Sequence, residues 1–181
     1  YHLRLLGEYQ LLNALTVIDV CSALRSRGWD KLTDAAIDTG LSIAQWPGRL
    51  ELLRRRPDFI VDGAHNPQCV DALMDSLAAL YGSKKLIFLT GVLRDKDWQQ
   101  MLRRALPLAK AFVVITPPSA RALDENELAA WLNAQGVQAV PAKDTDDGVR
   151  RALELAGEDD AICSWGSLYF TGEVRRVLTE Q

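Results

Sequence analysis

From residue 58 onward the chain repeats one pattern: a short apolar run of strand character, then a longer segment with apolar residues at helical spacing. The runs "FIV" (59–61), "LIFL" (86–89), "FVVI" (112–115) and "AIC" (161–163) lack the polar alternation of a strand wetted on one face. A shorter run falls at 137–140. Between them, residues 67–81 place Val70, Leu73, Met74, Leu77, Leu80 and Tyr81 on one helical face. Trp98, Met101, Leu102, Ala105 and Leu106 mark the next helix. Asp124 with Glu127 forms a capping-box signal for a helix ending at Gly136, and further helices are expected over about Thr145–Ala156 and Ser167–Leu178. Strands covered on both faces and joined by helices must cross over rather than turn back, which makes the sheet parallel. The expected fold is α/β, a Rossmann-like, mostly parallel sheet with helices on both faces.

The first 57 residues follow a different rule. "HLRLL" at 2–6 reads as a short strand, and Glu8–Arg27 carries Leu11, Leu12, Leu15, Ile18 and Leu24 at helical spacing, stopped at Gly28. A second helix with a weaker stripe runs from about Asp30 to Ala44, and "QWPGRL" at 45–50 punctuates the chain as a linker. Residues 49–54 and 58–62 read as a hairpin joined by "RRP". Residues 1–44 are therefore expected to be a small helical remnant of a missing domain, and 45–181 the main domain. The chain starts at Tyr1 and its only methionines are Met74 and Met101, so a piece of a longer protein, with half of its active site elsewhere, is expected.

Charge and composition narrow the function. At 181 residues and 48% apolar the chain can bury a sizeable core, and no apolar run approaches the roughly 20 residues that span a bilayer. A net charge of -3 and a pI near 5.4 give no broad basic field, so neither membrane nor nucleic acid is an expected partner. Cys21, Cys69 and Cys163 are odd in number, far apart and set among apolar residues; they read as reduced core thiols rather than a disulfide frame or metal knot, which points to the cytoplasm.

Ligands of an open parallel sheet bind beyond the carboxyl ends of its strands. Three such ends combine glycine with polar side chains: Asp62-Gly63-Ala64-His65-Asn66, Thr90-Gly91-Val92-Leu93-Arg94-Asp95-Lys96-Asp97, and Ser164-Trp165-Gly166-Ser167. Glycine admits close backbone approach there, and the following helix offers free N–H groups. Asn66 before Pro67 has a structural reason as a helix N-cap. His65 is open to two readings, a half-buried histidine satisfied by backbone or a group that does chemistry. Asp62 can bond turn amides or face a ligand, and Gly166-Ser167 can cap a helix or touch substrate. Arg54-Arg55-Arg56 reads as a solvated hairpin tip that can also greet an anionic substrate, and Trp98 and Trp131 read as core. No G-x-x-x-x-G-K-[ST] or G-x-G-x-x-G is present, so the chain has no self-sufficient phosphate cradle of either type.

Taken together and in order, "WPGRLE" (46–51), "DGAHNP" (62–67), "GVLRDKD" (91–97) and "GSLYFTGEVR" (166–175) resemble the carboxyl-terminal domain of the folylpolyglutamate synthase/dihydrofolate synthase family of the Mur ligase superfamily. "LLGEYQLLNA" (5–14) is similar to the end of that family's central ATPase domain. The resemblance implies ATP-driven conversion of a folate or dihydropteroate carboxylate to an acyl phosphate, which the amine of L-glutamate attacks. It implies ATP and Mg²⁺, with the phosphate loop and metal ligands in the missing amino-terminal domain and no metal ligand here, and a monomeric protein. By the same resemblance Asn13 faces the adenine end of ATP and Arg49 its phosphates. Asp62 and His65 form a catalytic pair facing the phosphates and incoming glutamate, and Ser167 touches glutamate. Arg49 offers a planar fork of donors suited to phosphate oxygens. General-base help from His65 is worth about 10²–10⁴-fold, against effective molarities of about 10⁵–10⁸ M from holding reactants in line, so positioning by domain closure is expected to dominate. A cell-wall Mur ligase domain and a non-catalytic binding module with this fold are the competing readings.

Overall fold

A computed structural model describes residues 1–180. Two helices come first, α1 (Tyr9–Arg25) and α2 (Asp34–Ile43), followed by an antiparallel hairpin of β1 (Glu51–Arg54) and β2 (Asp58–Val61). Then come α3 (Pro67–Tyr81), β3 (Leu86–Thr90), α4 (Trp98–Ala105), β4 (Ala109–Val114), α5 (Glu125–Ala134), β5 (Ala139–Pro141), α6 (Thr145–Leu155), β6 (Ala161–Trp165) and α7 (Leu168–Thr179). The sheet order is β1-β2-β6-β3-β4-β5, and every pairing except β1–β2 is parallel. The expected α/β sheet and hairpin are both present. The expected strand at 2–6 is not: this segment is irregular, its Arg4 N–H donated to Leu41 O of α2 at 3.3 Å rather than to a sheet edge.

Side chains of the sheet alternate between two cores. Ile60, Phe88, Phe112, Cys163 and Trp165 face α3, α4 and α5, whereas Phe59, Val61, Leu89, Val113 and Ile162 face α6 and α7. Phe88 anchors the first core, 5.3 Å from the Phe112 ring and edge-on to Trp165 at 6.1 Å. All five helices that follow strands begin at side-chain caps: Asn66, Asp97, Asp124, Asp144 and Ser167 each accept from a backbone N–H of their first turn. Asn66 with Pro67 starts α3 as the sequence implies. The capping box at Asp124 is only half made, since Glu127 turns away to pair with Arg94 at 2.6 Å.

The order of crossings locates the site. The chain leaves β2 for α3 on one face, but leaves the adjacent β6 for α7 on the opposite face. Loops departing in opposite directions from neighbouring strand ends leave the crevice in which doubly wound sheets bind ligands. The loops at 62–66 and 166–167 flank that point.

Candidate functional site

β2 continues its ladder one residue past the strand, Asp62 N–H donating to Ser164 O at 2.9 Å, and the Asp62 carboxylate then turns back on the linker. Its Oδ1 accepts from Ala64 N–H at 2.8 Å; its Oδ2 accepts from Leu50 N–H at 2.8 Å and from the Tyr9 hydroxyl at 3.4 Å. Burial pushes the Asp62 pKa up, opposed by the Leu50 and Ala64 N–H groups, by nearby Arg49 and by Tyr9. Burial, then the Asp62 charge, likewise raises that of Tyr9. Leu50 is held in the left-handed region at φ 44°, unusual for a branched side chain and costing on the order of 1–3 kcal/mol. Two things hold it there: its side chain is buried and its N–H is clipped by Asp62. The clip leaves Arg49, the residue before it, exposed to solvent.

A chain of hydrogen bonds runs from the linker to the histidine. Gly48 O accepts from Gly63 N–H at 2.8 Å, and Gly63 O is 2.8 Å from His65 Nδ1. A carbonyl oxygen only accepts, so Nδ1 carries the proton and the neutral ring keeps the lone pair on Nε2. His65 is half-buried. Backbone satisfaction at one nitrogen and a free base at the other are thus compatible in the same geometry.

The end of β6 closes the rim. Gly166, at φ 115°, donates its N–H to Ala64 O at 2.8 Å. A Cβ there would meet Thr90 Oγ1 at 2.6 Å and Gly91 O at 2.7 Å, so the loops after β2, β3 and β6 touch at this glycine. Ser167 is buried; its Oγ accepts from Tyr169 N–H at 3.2 Å, which makes it the N-cap of α7.

The sequence-derived residues fall into two groups. Asn13 and Arg49 line one hollow of about 480 Å³ with Tyr9, Val17, Leu41 and Trp46. Arg49 also lines a smaller hollow of about 170 Å³ with Asp62, Tyr9 and Gln68. His65 and Ser167 line neither and sit on the adjoining loops, joined through Ala64 and Gly166. Asn13 is exposed, its Nδ2 donating to Gln10 Oε1 at 2.8 Å. Sequence reasoning missed Tyr9 and Leu50. Tyr9 carries a usable signal, four residues before Asn13 and so on the same helical face; a leucine gives no sign of a left-handed backbone. Among the described residues no group of three or more His, Cys, Asp or Glu is placed to hold a metal ion.

Comparison with known proteins follows the same geometry. Residues 48–168 match the family model of the Mur ligase, glutamate ligase domain. The chain is 28% identical over 177 residues to the dihydrofolate synthase/folylpolyglutamate synthase of Bacillus subtilis (strain 168), covering 96% of this chain and 40% of that protein. The structure of Mycobacterium tuberculosis folylpolyglutamate synthase complexed with ADP and AMPPCP superposes at a TM-score of 0.87, with 28% identity over 99% of this chain and 42% of that one. A bifunctional folylpolyglutamate synthase/dihydrofolate synthase with Mn, AMPPNP and L-glutamate bound superposes at 0.71, with 28% identity over 81% of this chain and 35% of that one. The chain thus spans about two fifths of the length of the Bacillus relative. It belongs to the Mur ligase family, as a glutamate ligase domain.

Proposed function

We propose that this chain is the carboxyl-terminal part of an ATP-dependent ligase that joins L-glutamate to a folate, and to dihydropteroate in a bifunctional protein, through an acyl phosphate. The observation that carries the reading is the clip at Asp62, which fixes the linker against the strand end and leaves Arg49 exposed beside the crevice. Asn13 meets the adenine end of ATP across the hollow it shares with Arg49, and Arg49 takes the phosphates with its bidentate fork. His65, with Nε2 unprotonated, orients the ammonium of glutamate and accepts a proton as the amine attacks. Asp62 works through others, as a positioning residue for Leu50, Arg49 and the His65 loop. Ser167 meets glutamate through the start of α7 rather than through its hydroxyl, which the cap already uses.

Residues 1–44 belong, on this reading, to an ATP-binding domain whose other elements cover α1, and 45–181 form the ligase domain. The exposed Leu11, Leu12, Leu15, Val17 and Val20 of α1 support that division, since only Gln10 of this helix is buried. A divalent cation would supply charge neutralisation at the phosphates, and its donors come from outside the described residues. On this reading the protein works as a monomer, and its three free cysteines are in keeping with the cytoplasm.

The test is glutamate-dependent ADP release by the whole protein that contains this chain, with folate, dihydropteroate and nucleotide-muramyl acceptors in parallel. Turnover with a pterin acceptor alone is expected. Turnover with the muramyl acceptor, or none with any, would overturn the reading.

A further inference from the structure

Tyr9 opens α1 and reaches out of the helical unit of residues 1–44 to the end of β2. Gly7 makes room for its ring: a Cβ at Gly7 would lie 2.8 Å from Tyr9 Cε1 and 3.3 Å from Ser76 Oγ of α3. With no side chain there, the turn ahead of α1 closes over the ring and brings it against α3. The Tyr9 hydroxyl then donates to Asp62 Oδ2 at 3.4 Å, the same oxygen that accepts from Leu50 N–H at 2.8 Å. Burial and the Asp62 charge raise the phenol's pKa, so the group stays a donor. One carboxylate oxygen therefore ties α1, the linker and the end of β2 together.

Arg49 completes the arrangement. Among the described residues Tyr9 and Arg49 alone line both the hollow of about 480 Å³ on the Asn13 side and that of about 170 Å³ on the Asp62 side. They form the partition between the two. Asn13 stands about one helical turn beyond Tyr9 on the same face of α1, and a helix is stiff over one turn, so a shift of the Tyr9 ring carries Asn13 with it. The Asp62 bond passes the same shift to Leu50, whose strained backbone at φ 44° relaxes once its N–H loses that oxygen, and so to Arg49.

We propose that Tyr9 is a positioning residue that fixes the spacing between Asn13 and Arg49, and so sets the span over which a nucleotide is held from its adenine end to its phosphates. The nucleotide in this inference rests on the ligase reading; the mechanical link from Tyr9 to Leu50 does not.

Tyr9→Phe, which keeps the ring and removes the donor, tests it in two ways. In the 181-residue chain, amide hydrogen exchange at Leu50 is expected to quicken about tenfold, while Phe88 in the middle of the sheet changes by less than about threefold. In the whole ligase, the variant is expected to raise the Kd for ATP with Mg²⁺ about tenfold and to leave the KM for glutamate within about twofold of the wild type. It should cause no further loss of ATP affinity once Arg49 is already Gln, because the two residues act as one unit. Exchange at Leu50 as slow as in the wild type would overturn the proposal. An equal acceleration at Phe88 would make Tyr9 a general stabiliser of the fold and overturn it too, as would ATP losses that simply add in the Tyr9→Phe/Arg49→Gln double variant. Failure of the whole protein to ligate glutamate would instead sink the ligase reading and leave the exchange result standing.

Discussion

Asp62 spends both carboxylate oxygens on structure, and that is what makes it useful to the site. Replacing it with Ala strands the Leu50 and Ala64 N–H groups in a buried place, at a cost of about 1–3 kcal/mol each where water cannot reach them. Urea denaturation should therefore find Asp62→Ala destabilised by at least about 2 kcal/mol, and the intact ligase should lose ATP affinity as Leu50 relaxes and Arg49 moves. A stability unchanged within error would show that the clip does not hold the linker. His65 should behave in the opposite way. Its ring is half-buried and among the described residues bonds only Gly63 O, so His65→Ala is expected to leave the denaturation midpoint nearly unchanged while lowering turnover by about 10²-fold or more at saturating glutamate. Unchanged turnover would remove it from the chemistry. Ser164 offers a third contrast: its hydroxyl is buried in β6 with no partner among the described residues, so Ser164→Ala should be neutral or stabilising, and a clear loss would mean a partner exists. The sequence pointed to Asp62, His65 and Ser167 because glycine-flanked polar residues end apolar runs. It left their roles open because direction is set by long-range bonds, from residue 50 to 62 and from 64 to 166, that no local pattern encodes.

Elements were legible where the period was strong and the cap was local. The helix at 67–81 occurs at the residues the pattern marks, since Asn66, Pro67 and Gly82 punctuate both ends. The stripe on α1 misleads in another way: Leu11, Leu12 and Leu15 form a helix as their spacing implies, yet face solvent, because periodicity does not say what covers a face. Two elements carry predictions. Gly166 ends β6 in a left-handed conformation against the backbone of Gly91, which cannot move aside as a flexible side chain would. Gly166→Ala should cost more than about 2 kcal/mol, read as a lowered denaturation midpoint; a neutral result would mean that the three loops do not meet as described. At the start of α6, Asp147 lies under Arg151 and Arg150. Burial alone would raise its pKa, but hydrogen bonds from Arg151, the Lys143 N–H and Arg150 hold it at about 2 against an ordinary 3.8. A carboxylate depressed in the folded state stabilises above its unfolded value and loses that contribution as pH falls through the folded one. The stability gap between the wild type and Asp147→Asn should therefore be full at pH 6 and narrow below about pH 4; a gap independent of pH would contradict the pairing.

The whole molecule is a sheet whose strand order forces neighbouring loops to part at β2 and β6, with a strained linker pinned across one side of the opening. Positive charge gathers there although the chain as a whole is acidic. What is absent matters as much: no glycine-rich phosphate loop occurs in the sequence, and α1 leaves a row of leucines and valines uncovered. On the proposed function the chain is one wall of a cleft, and its affinity for nucleotide should come from closure against another domain. Calorimetric titration with ATP and Mg²⁺, run on this chain and on the whole ligase side by side, puts that to the test. Binding by the whole ligase, with no saturable heat from the chain alone up to about 1 mM nucleotide, is the expected outcome; equal affinity in the two would mean that these residues form a complete nucleotide site and that the half-cleft picture is wrong.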